Sequence, residues 1–300
     1  MLRPFLHKLS GLSLLYLLLF FTCFSKQVMA ELTTSFPENA RIISIGGALT
    51  ETVYALGAQD QLVARDSTSI YPQAALKLPE LGYMRHLSPE GILSLSPEGI
   101  LLIEGSGPPS TIEILKKTSI PLVIIPENFS RESVIEKIRL VGKALHREVQ
   151  AAELIKKLNN NFINNDMLLT KITKPKRVLF IFSLQNGGVM VSGTDTAADG
   201  MIKLSGGINA ISDYKGYKLL NNEALLNSNP DFILFVNHNG NSTKIDTILA
   251  IPAIQATPAA KNHAIKQIDA MYFLGFGPRT AEASKELINM LYGTEQNGKS

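Results

Sequence analysis

The sequence predicts an α/β protein of two similar lobes with mainly parallel sheets, joined by a single long helix, with a ligand cleft between the lobes. Three observations predict this. Strand-like and helix-like segments alternate before residue 130 and again after 176, the order that builds parallel sheets. Between them, residues 131–170 carry no proline and a single glycine. The two halves also share a pattern: EGILSLSPEGILL at 90–102 lines up with EALLNSNPDFILF at 223–235. Each has a glutamate, a proline seven residues later, an acidic residue and then an apolar strand, as repeated units do.

The elements follow in order. RIISIGG (41–47) reads as a strand and TETVYALGA (50–58) as a helix; QLVARD (61–66) is the next strand. SPEGILSLS (88–96) is a short helix ended by Pro97, which feeds the strand GILLIE (99–104). STIEILKKTS (110–119) is helical and PLVIIP (121–126) a strand. Apolar residues at 134, 135, 138, 141 and 145 give RESVIEKIRLVGKALH a helical stripe. REVQAAELIKKLNNNFINNDMLL (147–169) has neither Pro nor Gly and spans about 35 Å as one helix, enough for a stiff strut that allows only small lobe motion. RVLFIFS (177–183) is a strand, and TAADGMIKLSG (196–206) is a helix stopped by Gly206 and Gly207. DFILFVN (231–237) and AIKQID (264–269) are strands, with Pro230 in the place of Pro97. RTAEASKELINMLYG (279–293) is the closing helix.

The first 30 residues have the order of a signal peptide: Arg3 and Lys8, then an apolar run at 11–21, then VMA with small residues before a cut after Ala30. The run is too short to span a bilayer as a helix. Cys23 is the sole cysteine, and FFTC lacks the small residues that lipid attachment wants before it. The expected layout is a leader at 1–30, an N-terminal lobe at 31–130, the lobe end and linking helix at 131–170, and a C-terminal lobe at 171–300. Loss of Arg3, Lys8 and Lys26 with the leader takes the formal charge from +3 to 0 and removes the cysteine. A neutral chain gives no reason to expect nucleic acid, and no disulfide or thiolate metal site is possible without cysteine.

Enzyme signatures are missing. There is no P-loop and no GxSxG elbow. GGALTE (46–51) opens a helix after a strand, where an anion can bind, but it reads better as a tight turn. His86, His146, His238 and His263 are scattered; His146 and His263 fit helix-end roles, whereas His238 follows a strand, where cleft loops lie. GYMRH (82–86) places Tyr83, Arg85 and His86 in one loop. A phenol is a hard oxygen ligand once ionised, which a ferric ion or a cation such as Arg85 favours. Tyrosinate is an axial ligand for haem iron. The alternative is a tyrosine packed under its own loop.

The stretch DSTSIYPQAALKLPELGYMRHLSPEGILSLSPEGILL resembles the periplasmic haem-binding proteins of bacterial haem ABC importers, as do VSGTDTAADGMIKLSGGINAI (191–211) and YFLGFGPRTAEASKEL (272–287). The resemblance runs from about Arg41 to Tyr292. It implies a monomeric periplasmic carrier, not an enzyme, that delivers haem to an inner-membrane permease and its ATPase. Tyr83 matches the axial iron ligand. Arg85 matches an arginine that bonds the phenolate or the haem edge, and Arg279 a cleft-side position able to pair with a propionate. Glu90 and Glu223 match acidic residues, one per lobe, that dock onto permease arginines. Relatives that stack two haems use a second-lobe histidine, absent from the loop FSLQNGGVMVSG (182–193), which leaves His86 and His238 as candidates for further contacts. A ferric-siderophore or cobalamin carrier of the same fold is the alternative.

Overall fold

A computed structural model describes residues 35–185, 188–236 and 244–296. The first lobe runs β1 (Ile42–Ile45), α1 (Gly47–Ala55), β2 (Leu62–Arg65), α2 (Pro89–Leu93), β3 (Gly99–Ile103), α3 (Pro109–Lys116) and β4 (Leu122–Ile125). Its four strands pair in parallel in the order β2-β1-β3-β4. Every residue of β1 and β3 is buried, so apart from Ser44 these strands read as continuous apolar runs rather than alternating ones, as strands covered on both faces do. Helix α2 is shorter than the spacing predicts: Ser96 takes a left-handed φ of 47° just before Pro97, and together they end it.

Two helices follow, α4 (Arg131–Ala144) and α5 (Glu148–Leu169). Ser130 caps α4 by accepting from the Ser133 N–H, and His146, at φ 55°, turns the chain between them. Its ring nitrogen bonds the Phe36 carbonyl at 2.7 Å, a structural role at a helix end. Helix α5 is the predicted strut, 22 residues long, with only Ala151, Leu158, Phe162 and Asn165 buried along one stripe.

The second lobe runs β5 (Arg177–Gln185), β6 (Gly188–Ser192), α6 (Ala197–Leu204), β7 (Ile208–Asn209), β8 (Tyr217–Leu220), α7 (Asn222–Ser228), β9 (Phe232–Val236), α8 (Ile245–Leu249), α9 (Pro252–Gln255), α10 (Pro258–Lys261), β10 (Ile265–Ile268), α11 (Ala270–Leu274) and α12 (Thr280–Gln296). Its sheet has the order β10-β9-β5-β6-β8, with β7 beside β5. The β10, β9 and β5 pairings are parallel, while β6 and β8 add antiparallel. The sequence reading leaves this antiparallel part as loop. Its strands bury one face through Val189, Val191 and Leu220, and the glycines around 187–188 resemble breakers.

One apolar cluster runs through both lobes. Leu49, Ile125, Val134 and Ile138 join Phe180, Ala198, Phe273, Phe276 and Leu287 in it. Gly200 on α6 allows the closest approach: a Cβ there would lie 2.3 Å from the Phe129 carbonyl oxygen. The Phe129 ring also meets that of Phe276 edge-on at 5.4 Å. Inside this junction the Lys137 amine, fully buried, donates to Glu127 at 2.6 Å and to the Phe276 carbonyl at 2.9 Å. Asn165 on the strut donates to the Ala281 carbonyl at 2.7 Å.

Burial pushes the Glu127 carboxyl up and the Lys137 amine down from their usual ranges, so each charge is tolerated only because of the other. Lys137→Met alone is therefore expected to cost about 3–5 kcal/mol. The double variant Lys137→Met/Glu127→Leu should recover most of that loss, as read by urea unfolding. Equal losses in the two proteins would mean that the amine matters through Phe276 and not through Glu127.

Candidate functional site

The turn that carries Tyr83 is fixed from both sides by backbone. Upstream, the Ser67 N–H donates to the Gly82 carbonyl at 2.8 Å and the Leu81 N–H to the Arg65 carbonyl at 2.9 Å. Downstream, the Leu87 N–H donates to the Gly107 carbonyl and the Gly107 N–H to the Met84 carbonyl, both at 2.9 Å. Gly82 has φ 84°, a value that L side chains rarely take; a Cβ there would touch nothing, so the requirement is conformational and not steric. Leu87 is buried and Met84 packs inward, which leaves Tyr83, Arg85 and His86 exposed. The turn thus bridges the loops that follow β2 and β3, at the carboxyl end of a parallel sheet, where such folds bind ligands.

Tyr83 is 41% exposed rather than packed under its loop. An Arg85 Nη donates to its phenol oxygen at 3.4 Å, and the His86 ring lies 5.8 Å from the tyrosine ring. The structure therefore brings together the three residues singled out at 83–86. From the other lobe it adds Tyr217 at the start of β8, whose hydroxyl lies near Thr196 and in the field of Arg85. Sequence reasoning missed Tyr217 because it had no strand to put it on. The dipeptide Asn186-Gly187, a hairpin signal, was the available clue.

Arg279 stands just ahead of α12. Its guanidinium grips Glu51 with both prongs, at 3.0 and 2.9 Å, while its backbone N–H donates to the same carboxylate at 3.2 Å. The Tyr71 ring is 3.5 Å from it and the Tyr272 ring 4.9 Å. Arg279, Glu51 and Tyr71, with Tyr54, Leu154 and Lys157, line a cavity of about 390 Å³ beside the strut. Glu51 takes Nε and one Nη of Arg279, so a propionate at this guanidinium would share it with Glu51 or displace that carboxylate. His238 lies outside the described residues. GGALTE forms the tight turn: Asp66 accepts from the Gly46 N–H at 2.9 Å and Thr68 from the Gly47 N–H at 3.0 Å, so those donors are used internally.

Glu90 and Glu223 occupy the same place in equivalent units. Each is the second residue of a short helix, behind a cap that accepts from the third N–H: Ser88 from Gly91, Asn221 from Ala224. Each helix is followed by a residue of positive φ, Ser96 or Asn229, and then by proline and a buried strand. Both glutamates are exposed. The first-turn backbone N–H and the Ser88 hydroxyl hold the Glu90 carboxyl below the usual range, so it stays charged.

The sequence profile described as "Periplasmic binding protein" matches residues 42–272. Among solved structures, the periplasmic heme-binding protein BhuT in complex with two hemes superposes with a TM-score of 0.81 and 35% identity, covering 85% of this chain and 98% of its own. Among curated proteins, the ABC transporter substrate-binding lipoprotein YvrC of Bacillus subtilis strain 168 is 26% identical over 85% of this chain and 81% of its own. A vitamin B12-binding protein of Yersinia pestis is 26% identical over 70% and 73%.

The Glu51–Arg279 grip separates two roles for Arg279. As a fastener its loss costs stability: Arg279→Ala is expected to lower unfolding free energy by about 2 kcal/mol, between an exposed and a buried pair. Unchanged stability with weakened ligand binding would instead assign Arg279 to the ligand.

Proposed function

The chain belongs to the periplasmic binding protein family, and we propose that its ligand is haem, held in the cleft with Fe(III) bound by the phenolate of Tyr83 and carried to an inner-membrane ABC permease and its ATPase. The observation that carries this reading is the exposed Tyr83 with the Arg85 guanidinium on its oxygen, at the carboxyl edge of the first sheet. Arg85 supplies the positive charge that a metal-bound phenolate needs nearby, and the backbone bonds on both sides fix the turn that carries the tyrosine. The likeness to a haem-bound structure supports the choice of ligand. Burial of the porphyrin supplies most of the affinity, and the iron bond supplies the selectivity. The Yersinia relative makes cobalamin the second reading.

Glu90 and Glu223 are proposed to seat one lobe each on arginines of the permease, where paired charges give register and rate. Their matching position behind matching caps supports this role.

Titration with haemin should give a saturable Soret shift with tyrosinate bands in resonance Raman. Tyr83→Ala should lose the bands and at least tenfold in affinity. Bands that survive in the variant would move the iron ligand elsewhere, and no shift with the parent chain would turn the reading to cobalamin or ferric siderophores. Glu90→Arg and Glu223→Arg should each leave the titration unchanged and lower haem uptake in reconstituted vesicles; normal uptake would remove the docking role.

A further inference from the structure

The β5–β6–β8 ribbon of the second lobe has two unlike faces. Ile181, Val189, Val191 and Leu220 pack into that lobe's own cluster. The opposite face presents Phe182, Met190, Tyr217 and Leu219. Register aligns Ser183 with Met190 and Met190 with Leu219, and places Tyr217 across from Ser192. Phe182 falls at the register shift in β5, and its ring lies 4.8 Å from that of Tyr217, tilted by 50°. Gly188 makes room for Leu219 to lie across the strand, since a Cβ there would come within 2.2 Å of a leucine methyl. Tyr217 and Leu219 remain 41% and 43% exposed.

Two observations say which way this face looks. Phe182 lies past the parallel pairing of β5 with β9, towards the carboxyl edge of those strands, where such folds bind ligands. The charge of Arg85, from the other lobe, bears on the Tyr217 hydroxyl. The apolar face therefore stands opposite the Tyr83 turn.

We propose that Tyr217, backed by Phe182 and Leu219, is the second lobe's contact for the ligand: a neutral phenol ring that stacks on one face of a porphyrin across the cleft from Tyr83 and does not bind the iron. The inference rests on the haem reading of the site. A flat apolar ring suits two tilted aromatic side chains and a leucine laid side by side. Burial pushes the Tyr217 phenol above its usual value; the Thr196 hydroxyl and Arg85 pull the other way without reversing it. Arg85 is meanwhile engaged with the Tyr83 oxygen. The two tyrosines thus divide the work, one to the metal and one to the ring.

Haemin and metal-free protoporphyrin IX separate these roles. Tyr217→Ala and Tyr217→Leu should each weaken both porphyrins about tenfold, with tyrosinate bands kept in the haemin complex. Tyr217→Phe should bind both nearly as the parent does. Tyr83→Phe should lose the bands and weaken haemin while leaving protoporphyrin unchanged. Far-UV circular dichroism and melting temperature check that β8 is intact, and Tyr217→Leu keeps the strand apolar if the alanine variant does not fold. Unchanged affinities in the alanine and leucine variants would overturn the stacking role alone, and loss of the bands in Tyr217→Phe would overturn it by making Tyr217 an iron ligand. A parent chain that binds neither porphyrin would overturn the haem reading and this inference with it.

Discussion

The placement of the cleft depends on the close approach of Phe129 to Gly200. At that point the first lobe meets the second backbone to side chain, with no room for a Cβ. The apolar cluster continues through the contact, so the lobes share a core and do not merely abut. Buried Lys137 and the Glu51–Arg279 grip add polar fasteners whose partners are far apart in sequence. Close packing of this kind resists small displacements, because each shift opens voids or forces overlap. The Tyr83 turn and the Tyr217 face are thereby held opposite each other before any ligand is present, which reduces the ordering cost of binding.

The sequence stretches that resemble haem-binding proteins divide accordingly. The one around Tyr83 carries the turn at the candidate site. The other two serve largely as joinery. In residues 191–211, Thr196 caps α6, buried Asp199 accepts from Asn209 at 3.1 Å, and Gly200 receives Phe129. In residues 272–287, Phe276 supplies a carbonyl to Lys137, Arg279 holds Glu51, and Thr280 closes on the Gly277 carbonyl at 2.7 Å. A stretch can therefore identify a fold through residues that hold the lobes together.

Much of this was legible in the residues. Period and punctuation gave the parallel strands of the first lobe and the strut, because each is a local pattern several residues long. The repeat around Glu90 and Glu223 was legible because a glutamate, a proline and an acidic residue before an apolar run mark both copies. The antiparallel ribbon was not. Strands β6 and β8 are five and four residues long and half open, and their composition is mixed. With them went Tyr217, which has no meaning until the ribbon gives it a face. Arg279 was singled out for the cleft, but its partner Glu51 lies 228 residues away, a distance that no periodicity spans. Asp66 was missed for a related reason. A buried carboxylate that accepts from Gly46, Thr68 and Ser69 is visible only once the loops converge on it.

The fused core also bears on how such a carrier is emptied. A protein whose halves swing on a loose hinge can let go by fluctuating open, and its partner need only wait. Here the halves share their interior, so opening the cleft means prising packed side chains apart. Glu90 and Glu223 stand on separate lobes, like two handles on one stiff clasp. On the proposed reading, loading is passive and unloading is mechanical: the machine that grips both handles has to do the work, and a carrier that drifts free of it keeps its cargo.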